Sequence, residues 1–191
     1  KNNDQALYAI YTDQFGDFGV QGGLRSEYTF RTISLINQNK DFTIDRWDFF
    51  PTIHTSYKFS EGTQMMASYT RRIQRPRGGE LEPFYTWIDA NNIRTGNPDL
   101  LPQLIDSYES GIETFIGEVS LSAEIYHRVT NNKVEHIRSV YKGENVNLDS
   151  VANIGKDFST GAELMLIFDP VEFWNVNLMA NLYDYRIEGI L

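Results

Sequence analysis

The residues able to do chemistry in this chain are scattered. His54, His127 and His136 are the three histidines, and none has an i,i+4 partner or a HExxH setting. A metal centre needs converging ligands of that kind. His54 therefore reads as a polar-face residue and His127 as one near a loop end. Cysteine is absent, which removes disulfides, thiolate sites and Cys nucleophiles. Neither GxSxG nor a phosphate-cradling loop occurs, and Gly78-Gly79 reads as a loop turn. Carboxylates are plentiful, among them Glu27, Asp48, Glu109, Glu113, Glu118, Glu124 and Glu163. Two of them about 5–10 Å apart would make a glycosidase pair. In a wide barrel such side chains simply face water, so no catalytic residue, metal or cofactor is expected.

Two groups remain with functional potential. Arg71, Arg72, Arg75 and Arg77 form a basic cluster in a chain of net charge −9. Arg71 and Arg72 point to opposite faces if the segment is a strand. Arg71 is expected at a bilayer edge, either bridging Glu80 or Glu82 or reaching a lipid or ligand phosphate. The second group lies in the long stretch 76–105, with Phe84, Tyr85, Trp87, Ile88 and Arg94. Tyr85 and Trp87 offer stacking area, and Arg75, Arg77 and Arg94 offer forks for anions. These five residues (Arg75, Arg77, Tyr85, Trp87, Arg94) are the candidate ligand site. The alternative is a loop folded over its own barrel mouth.

The elements that must position these groups are strands. Val20, Leu24, Tyr28 and Phe30 share one parity, with Gln21, Arg25, Glu27 and Arg31 on the other. Trp47, Phe49, Ile53 and Tyr57 alternate with Asp48, His54, Ser56 and Lys58. The same period runs through Leu121, Ala123 and Ile125, through Leu164 and Leu166, and through Leu178, Ala180 and Leu182. Period two means one apolar and one polar face. About eight strands are expected, in an all-β, antiparallel up-and-down meander. Short turns fall near 16–17, 60–62, 116–117 and 169–174, and long loops at 32–45, 76–105 and 130–156. A short strand within 134–140 would interrupt the last loop.

Short and long connections alternate along the chain. An up-and-down sheet then carries tight turns on one edge and long loops on the other, the anatomy of an outer-membrane barrel. Aromatics gather at both ends: Phe15, Phe18, Tyr57 and Phe59 by the tight turns, and Tyr28, Trp47, Phe49 and Phe50 by the long loops. Two girdles around an aliphatic band suit a bilayer. Val20, Leu24, Ile53, Leu121, Ile125, Leu164, Leu166, Leu178 and Leu182 are the candidate lipid-facing residues. The longest apolar run, Ala6 to Tyr11, has six residues, while a helical span needs about 20. Alternation by itself fits a soluble β-sandwich too. The acidic balance, with a pI near 4.8, argues against nucleic acid as a partner.

Two text segments add a family resemblance. Ala67 to Phe84 reads ASYTRRIQRPRGGELEPF, and Gly96 to Gln103 reads GNPDLLPQ, followed by Ser107-Tyr108-Glu109. Tyr69, Arg71, Arg75, Pro76, Leu81, Pro83 and Phe84, then Gly96, Asn97, Pro98, Leu100 and Pro102, resemble the barrel of TonB-dependent receptors, particularly their outer-membrane β-barrel family. Gly161-Ala162-Glu163, Asp169-Pro170, Phe173-Trp174 and Asn177 extend the likeness over nearly the whole chain.

The resemblance implies a segment of a barrel of roughly 22 strands in the outer membrane of a Gram-negative bacterium. It also implies import of a scarce ligand (iron chelate, cobalamin, glycan or peptide) driven through TonB. The plug and TonB-contacting segment are expected outside this sequence, so no residue here is assigned to energy coupling. Two other readings stay open: a small complete eight-stranded barrel acting as adhesin or scaffold, and a soluble carbohydrate-binding sandwich. An isolated barrel segment, with open edges and an apolar face, is expected to self-associate.

Overall fold

A computed structural model describes residues 2–35, 40–142 and 145–189. Its ten strands are β1 (Asn2–Phe15), β2 (Phe18–Leu35), β3 (Lys40–Ser60), β4 (Thr63–Gln74), β5 (Thr86–Asp89), β6 (Asn92–Arg94), β7 (Gln103–Ile116), β8 (Val119–Val140), β9 (Asn147–Val171) and β10 (Trp174–Gly189). They form one sheet in the order β1-β2-β3-β4-β7-β8-β9-β6-β5, with β10 also on β9. Eight strands make the antiparallel meander, and the β5–β6 hairpin is the addition. A sandwich needs two sheets, so that reading is overturned. Among the described residues β1 pairs with β2 and not with β10, so the eight strands do not close on themselves.

The tight turns are Gly16-Asp17, Glu61-Gly62, Gly117-Glu118 and Glu172-Phe173. Gly16 and Gly117 both stand at φ 62°, the left-handed region that glycine enters without strain and that the commonest two-residue hairpin turns use. The stretches 32–45 and 130–156, expected as loops, are largely strand. β2 runs to Leu35, β3 starts at Lys40, β8 runs to Val140 and β9 starts at Asn147. A bilayer crossing needs only about 9–11 residues. Beyond it both faces meet water, and apolar alternation fades from the sequence although the hydrogen-bond ladder continues. The segment expected as a separate strand at 134–140 is the end of β8. Asn132, at φ 56°, interrupts the alternation within that strand.

The chain groups into two compact units. The first comprises residues 1–71, 106–128 and 159–185, and it is a wall. Register sets Leu24 against Ala9 and Pro51, and Ile53 against Tyr69. Side-chain contacts carry the same face onward: Tyr69 meets the Tyr108 ring at 5.0 Å, Tyr108 meets His127 at 6.4 Å, and His127 Nδ1 lies 2.7 Å from Thr160 Oγ1. That face bears all nine residues singled out above as lipid-facing. Leu24, Ile53, Ile125, Leu164, Leu178 and Leu182 are exposed on it, while Val20, Leu121 and Leu166 are half-buried. The opposite face holds polar pairs, such as Arg128 with Glu109 at 3.3 Å and Asn181 with Glu163 at 3.0 Å. Phe50, grouped above with the girdle, is on this second face. It is 5% exposed, whereas Phe49 beside it is 56% exposed, because neighbouring strand residues point opposite ways.

The second unit comprises residues 72–105, 129–158 and 186–191. It has a small conventional core of Leu81, Ile93, Leu100 and Val151, all buried. Residues 76–105 are therefore not a slack loop. They carry a 3-10 turn, a hairpin and a set of specific ties to β8 and β9.

Candidate ligand-binding site in the 76–105 excursion

The excursion opens with the 3-10 turn Gly78–Glu80. The Arg77 N–H donates to Glu80 Oε2 at 2.7 Å, and the Glu80 N–H returns to the Arg77 carbonyl at 3.0 Å. This reciprocal arrangement drops Leu81 into the core, 2% exposed. The chain then meets its own later motif. The Gly96 N–H donates to the Glu82 carbonyl at 2.9 Å, and the Asn97 N–H donates to the Glu80 carbonyl at 2.7 Å. A Cβ on Gly96 would lie 2.5 Å from the Glu80 oxygen, so only glycine permits this approach. Thus the Leu81-Glu82-Pro83 and Gly96-Asn97-Pro98 texts dock on each other.

The far end is clamped by Asn153 on β9. Its Oδ1 accepts from the Leu101 N–H at 2.9 Å, and its Nδ2 donates to the carbonyls of Leu101 at 3.0 Å and Asn132 at 2.7 Å. Between these ties stands the β5–β6 hairpin. Asp89 Oδ1 accepts from the Asn91 N–H at 2.8 Å and the Asn92 side chain at 2.9 Å. Those bonds hold the Asp89 carboxyl below its ordinary pKa. β6 lies parallel on β9, with Asn92 opposite Asn147 and Arg94 opposite Asp149. The Thr95 N–H reaches the Asp149 carbonyl at 2.9 Å, and the Asn147 N–H reaches the Asn91 carbonyl at 2.8 Å.

This scaffold presents aromatic rings. Tyr85 and Trp87 are 57% and 54% exposed. Both rings meet Tyr141, at 5.3 and 6.3 Å, and Lys142 Nζ stands 5.1 Å from the Tyr141 ring centre. Tyr141 was not among the residues picked from sequence. Its only signal there is an aromatic beside a Lys-Gly turn, and the β6–β9 pairing is what brings it to Trp87. Arg94 does not join the rings. It pairs with Thr86 across the hairpin, whereas Trp87 pairs with Ile93, so Arg94 lies on the other face. Arg77 is exposed at the 3-10 turn, and Arg75 is half-buried with contacts of its own.

The other chemical candidates resolve into structural roles. Arg71 bridges neither Glu80 nor Glu82. Its Nε and Nη2 form a fork on Asp106 at 2.7 and 3.0 Å, and the Tyr69 hydroxyl donates to the same carboxylate at 2.8 Å. Residue 106 is β7's place beside β4 once the excursion is closed. Glu27 and Asp48 are opposed across β2 and β3, and both are buried. Arg25 salts the first and Arg46 the second, which makes them charge-balanced wall residues. Among the described residues no His, Cys, Asp or Glu cluster could hold a metal ion.

A single open sheet of long antiparallel strands, apolar on one face and polar on the other, is the wall of a membrane barrel. A family model described as the outer membrane protein beta-barrel family matches residues 1–190. The chain belongs to that family. This places it in the outer membrane of a Gram-negative bacterium. No curated protein matches the chain.

Among solved structures, this barrel segment is similar to the FrpB iron transporter from Neisseria meningitidis. The two share 16% identity with a TM-score of 0.67, over 97% of this chain and 26% of that one. The hemophore receptor HasR of Serratia marcescens, solved with its hemophore HasA and heme, gives 15% and 0.77 over 96% and 34%. The ferric enterobactin receptor PfeA from Pseudomonas aeruginosa gives 18% and 0.68 over 95% and 27%. The segment thus spans about a quarter to a third of the length of these structures. The resemblance read from Tyr69-to-Phe84 and Gly96-to-Pro102 holds at the level of family and fold.

Proposed function

We propose that this segment is wall and surface loop of an outer-membrane receptor that imports a scarce small ligand, with the driving force supplied by TonB through a part of the protein outside this chain. The fold likeness to an iron transporter, a hemophore receptor and a ferric enterobactin receptor supports transport rather than catalysis. The observation that carries the binding role is the pair of exposed rings Tyr85 and Trp87, both set against half-buried Tyr141 on a hydrogen-bonded scaffold. A loop meant only to close on itself would bury those rings, as it buries Leu81 and Ile93. The rings supply stacking area; Arg75 and Arg77 before the hairpin, and Arg94 on the hairpin's other face, add positive charge elsewhere in the excursion.

The nine aliphatic residues of the wall's apolar face meet lipid acyl chains, and the polar face lines the lumen. The small complete barrel is the weaker reading, since β1 and β10 do not pair among the described residues. The test is ligand uptake by cells carrying the intact receptor. Tyr85→Ala with Trp87→Ala should cut uptake about tenfold or more while the receptor's outer-membrane level stays constant. Unchanged uptake would remove the binding role from this site.

A further inference from the structure

The sheet ends at β5. Among the described residues Thr86–Asp89 pair with β6 alone, so one edge of this strand presents backbone N–H and C=O groups without a strand beside them. Natural sheets usually blunt such an edge with charge, proline or a covering segment. This one is short, four residues ending in Asp89, yet Tyr85, Trp87 and Ile88 are all exposed along it. β6 is hydrogen-bonded on both sides, and the Asn153 and Gly96 ties fix the excursion, so the edge is rigid.

The two faces beside the edge differ. One carries Trp87 with Tyr85 and Tyr141. The other carries Thr86 with exposed Arg94, which forms no ion pair among the described residues.

We propose that β5 is a docking edge for an extended peptide that adds as a further strand, with apolar side chains on the ring face and an acidic side chain toward Arg94. This rests on the ligand-binding reading of the Tyr85–Trp87 site and names the class of ligand. Main-chain bonds to β5 supply affinity, and alternate side chains supply selectivity. A compact chelate would use the rings but has no need of a free strand edge. The added strand continues the β9-β6-β5 pairing, so nothing in the hairpin has to move.

The probe is a blocked hexapeptide, Leu-Thr-Leu-Glu-Leu-Thr, with binding to the intact receptor in detergent read by anisotropy up to about 1 mM. Two N-methylated forms carry the test, one blocked at the first, third and fifth amides and the other at the second, fourth and sixth. Alternate amides point to opposite edges of a strand. One form should therefore bind about tenfold or more weakly, and the other within about twofold of the parent. Replacing the peptide's Glu by Lys should weaken binding about threefold or more, and Arg94→Glu should reverse that preference.

Equal behaviour of the two methylated forms, or no binding of the parent peptide, overturns the proposal. A receptor dimer that the peptide does not disperse would assign the edge to a second copy and overturns it as well. Uptake that depends on Tyr85 and Trp87, with no difference between methylated forms, sinks the peptide class and leaves import standing. A difference between the forms without any effect on uptake keeps the docking edge and removes import.

Discussion

The wall unit and the excursion unit of this chain solve the burial problem in opposite ways. In the wall, Ile125 is 64% exposed while Glu27 and Asp48 are buried against arginines. In the excursion unit Ile93 is 1% exposed and the carboxylate of Asp89 lies in a surface turn. One is built for lipid outside and water inside; the other has the apolar-inside, polar-outside order of an ordinary water-soluble protein. The same residue type therefore has a different worth in each. An aliphatic side chain on the wall face has lipid to meet whether it is long or short. One in the excursion core has only its packed neighbours.

The largest effect should come from breaking the small core. Leu81→Ala removes a buried side chain, which costs about 2–5 kcal/mol. The excursion would open locally, and its amides would exchange faster by the corresponding factor. Leu164→Ala, of the same chemistry on the wall's apolar face, should leave wall exchange nearly unchanged. Equal losses at the two sites would mean that the wall face is packed against protein.

Slightly smaller is the charge test of the wall. Ile125→Arg puts a guanidinium on the apolar face near the middle of a crossing, at about 2–4 kcal/mol by depth. Ser122→Arg, on the polar face of the same strand, should cost much less. Folding into lipid vesicles from denaturant reads both. If the second is the costlier, the two faces have been assigned the wrong way round. The isolated chain in detergent-free buffer should accordingly appear as oligomers or aggregate in light scattering, because its apolar face is open. A monodisperse monomer would contradict that.

Next is the clamp. Asn153→Ala leaves the Leu101 N–H and C=O groups and the Asn132 carbonyl without the amide that joins them. Unpaired groups of this kind cost about 1–3 kcal/mol when buried, and less here, where Leu101 is exposed. Protease cleavage within residues 76–105 should rise while the wall stays intact. Asn153→Gln, one methylene too long, should not rescue it.

How much of this was legible depended on which unit a residue belongs to. In the wall, period two revealed the strand cores and which residues share the apolar face, because a barrel wall has an apolar and a polar side. Beyond the crossing that contrast vanishes, and the outer ends of β2, β3, β8 and β9 read as loops. Arg71 was placed at the bilayer edge from parity alone. Its partner Asp106 lies 35 residues away, across the excursion, so only the β4–β7 register could reveal it. The ring pair Tyr85 and Trp87 was visible with Phe84 and Ile88 as a stretch too apolar for plain disorder. Tyr141 was not, since no local pattern announces that a three-residue strand will pair in parallel with β9. That Arg94 lies on the other face of the hairpin from Trp87 required knowing which residues oppose each other across it.

The smallest predicted effect is a pH dependence confined to the hairpin. Asp89 accepts hydrogen bonds from the Asn91 backbone and the Asn92 side chain, which lowers its pKa in the folded state. A carboxyl depressed on folding contributes stability that is fully present above its unfolded value. That contribution is lost as pH falls through the folded one. The hairpin should therefore be indifferent between pH 8 and about 5, and loosen below the ordinary aspartate range near 3.9. Trp87 sits two residues before Asp89, and its fluorescence in the intact receptor reports the turn directly. Asp89→Asn keeps one acceptor oxygen but removes the titration, so its profile should be flat over the same range. A loosening that survives in Asp89→Asn would place the acid-sensitive group elsewhere.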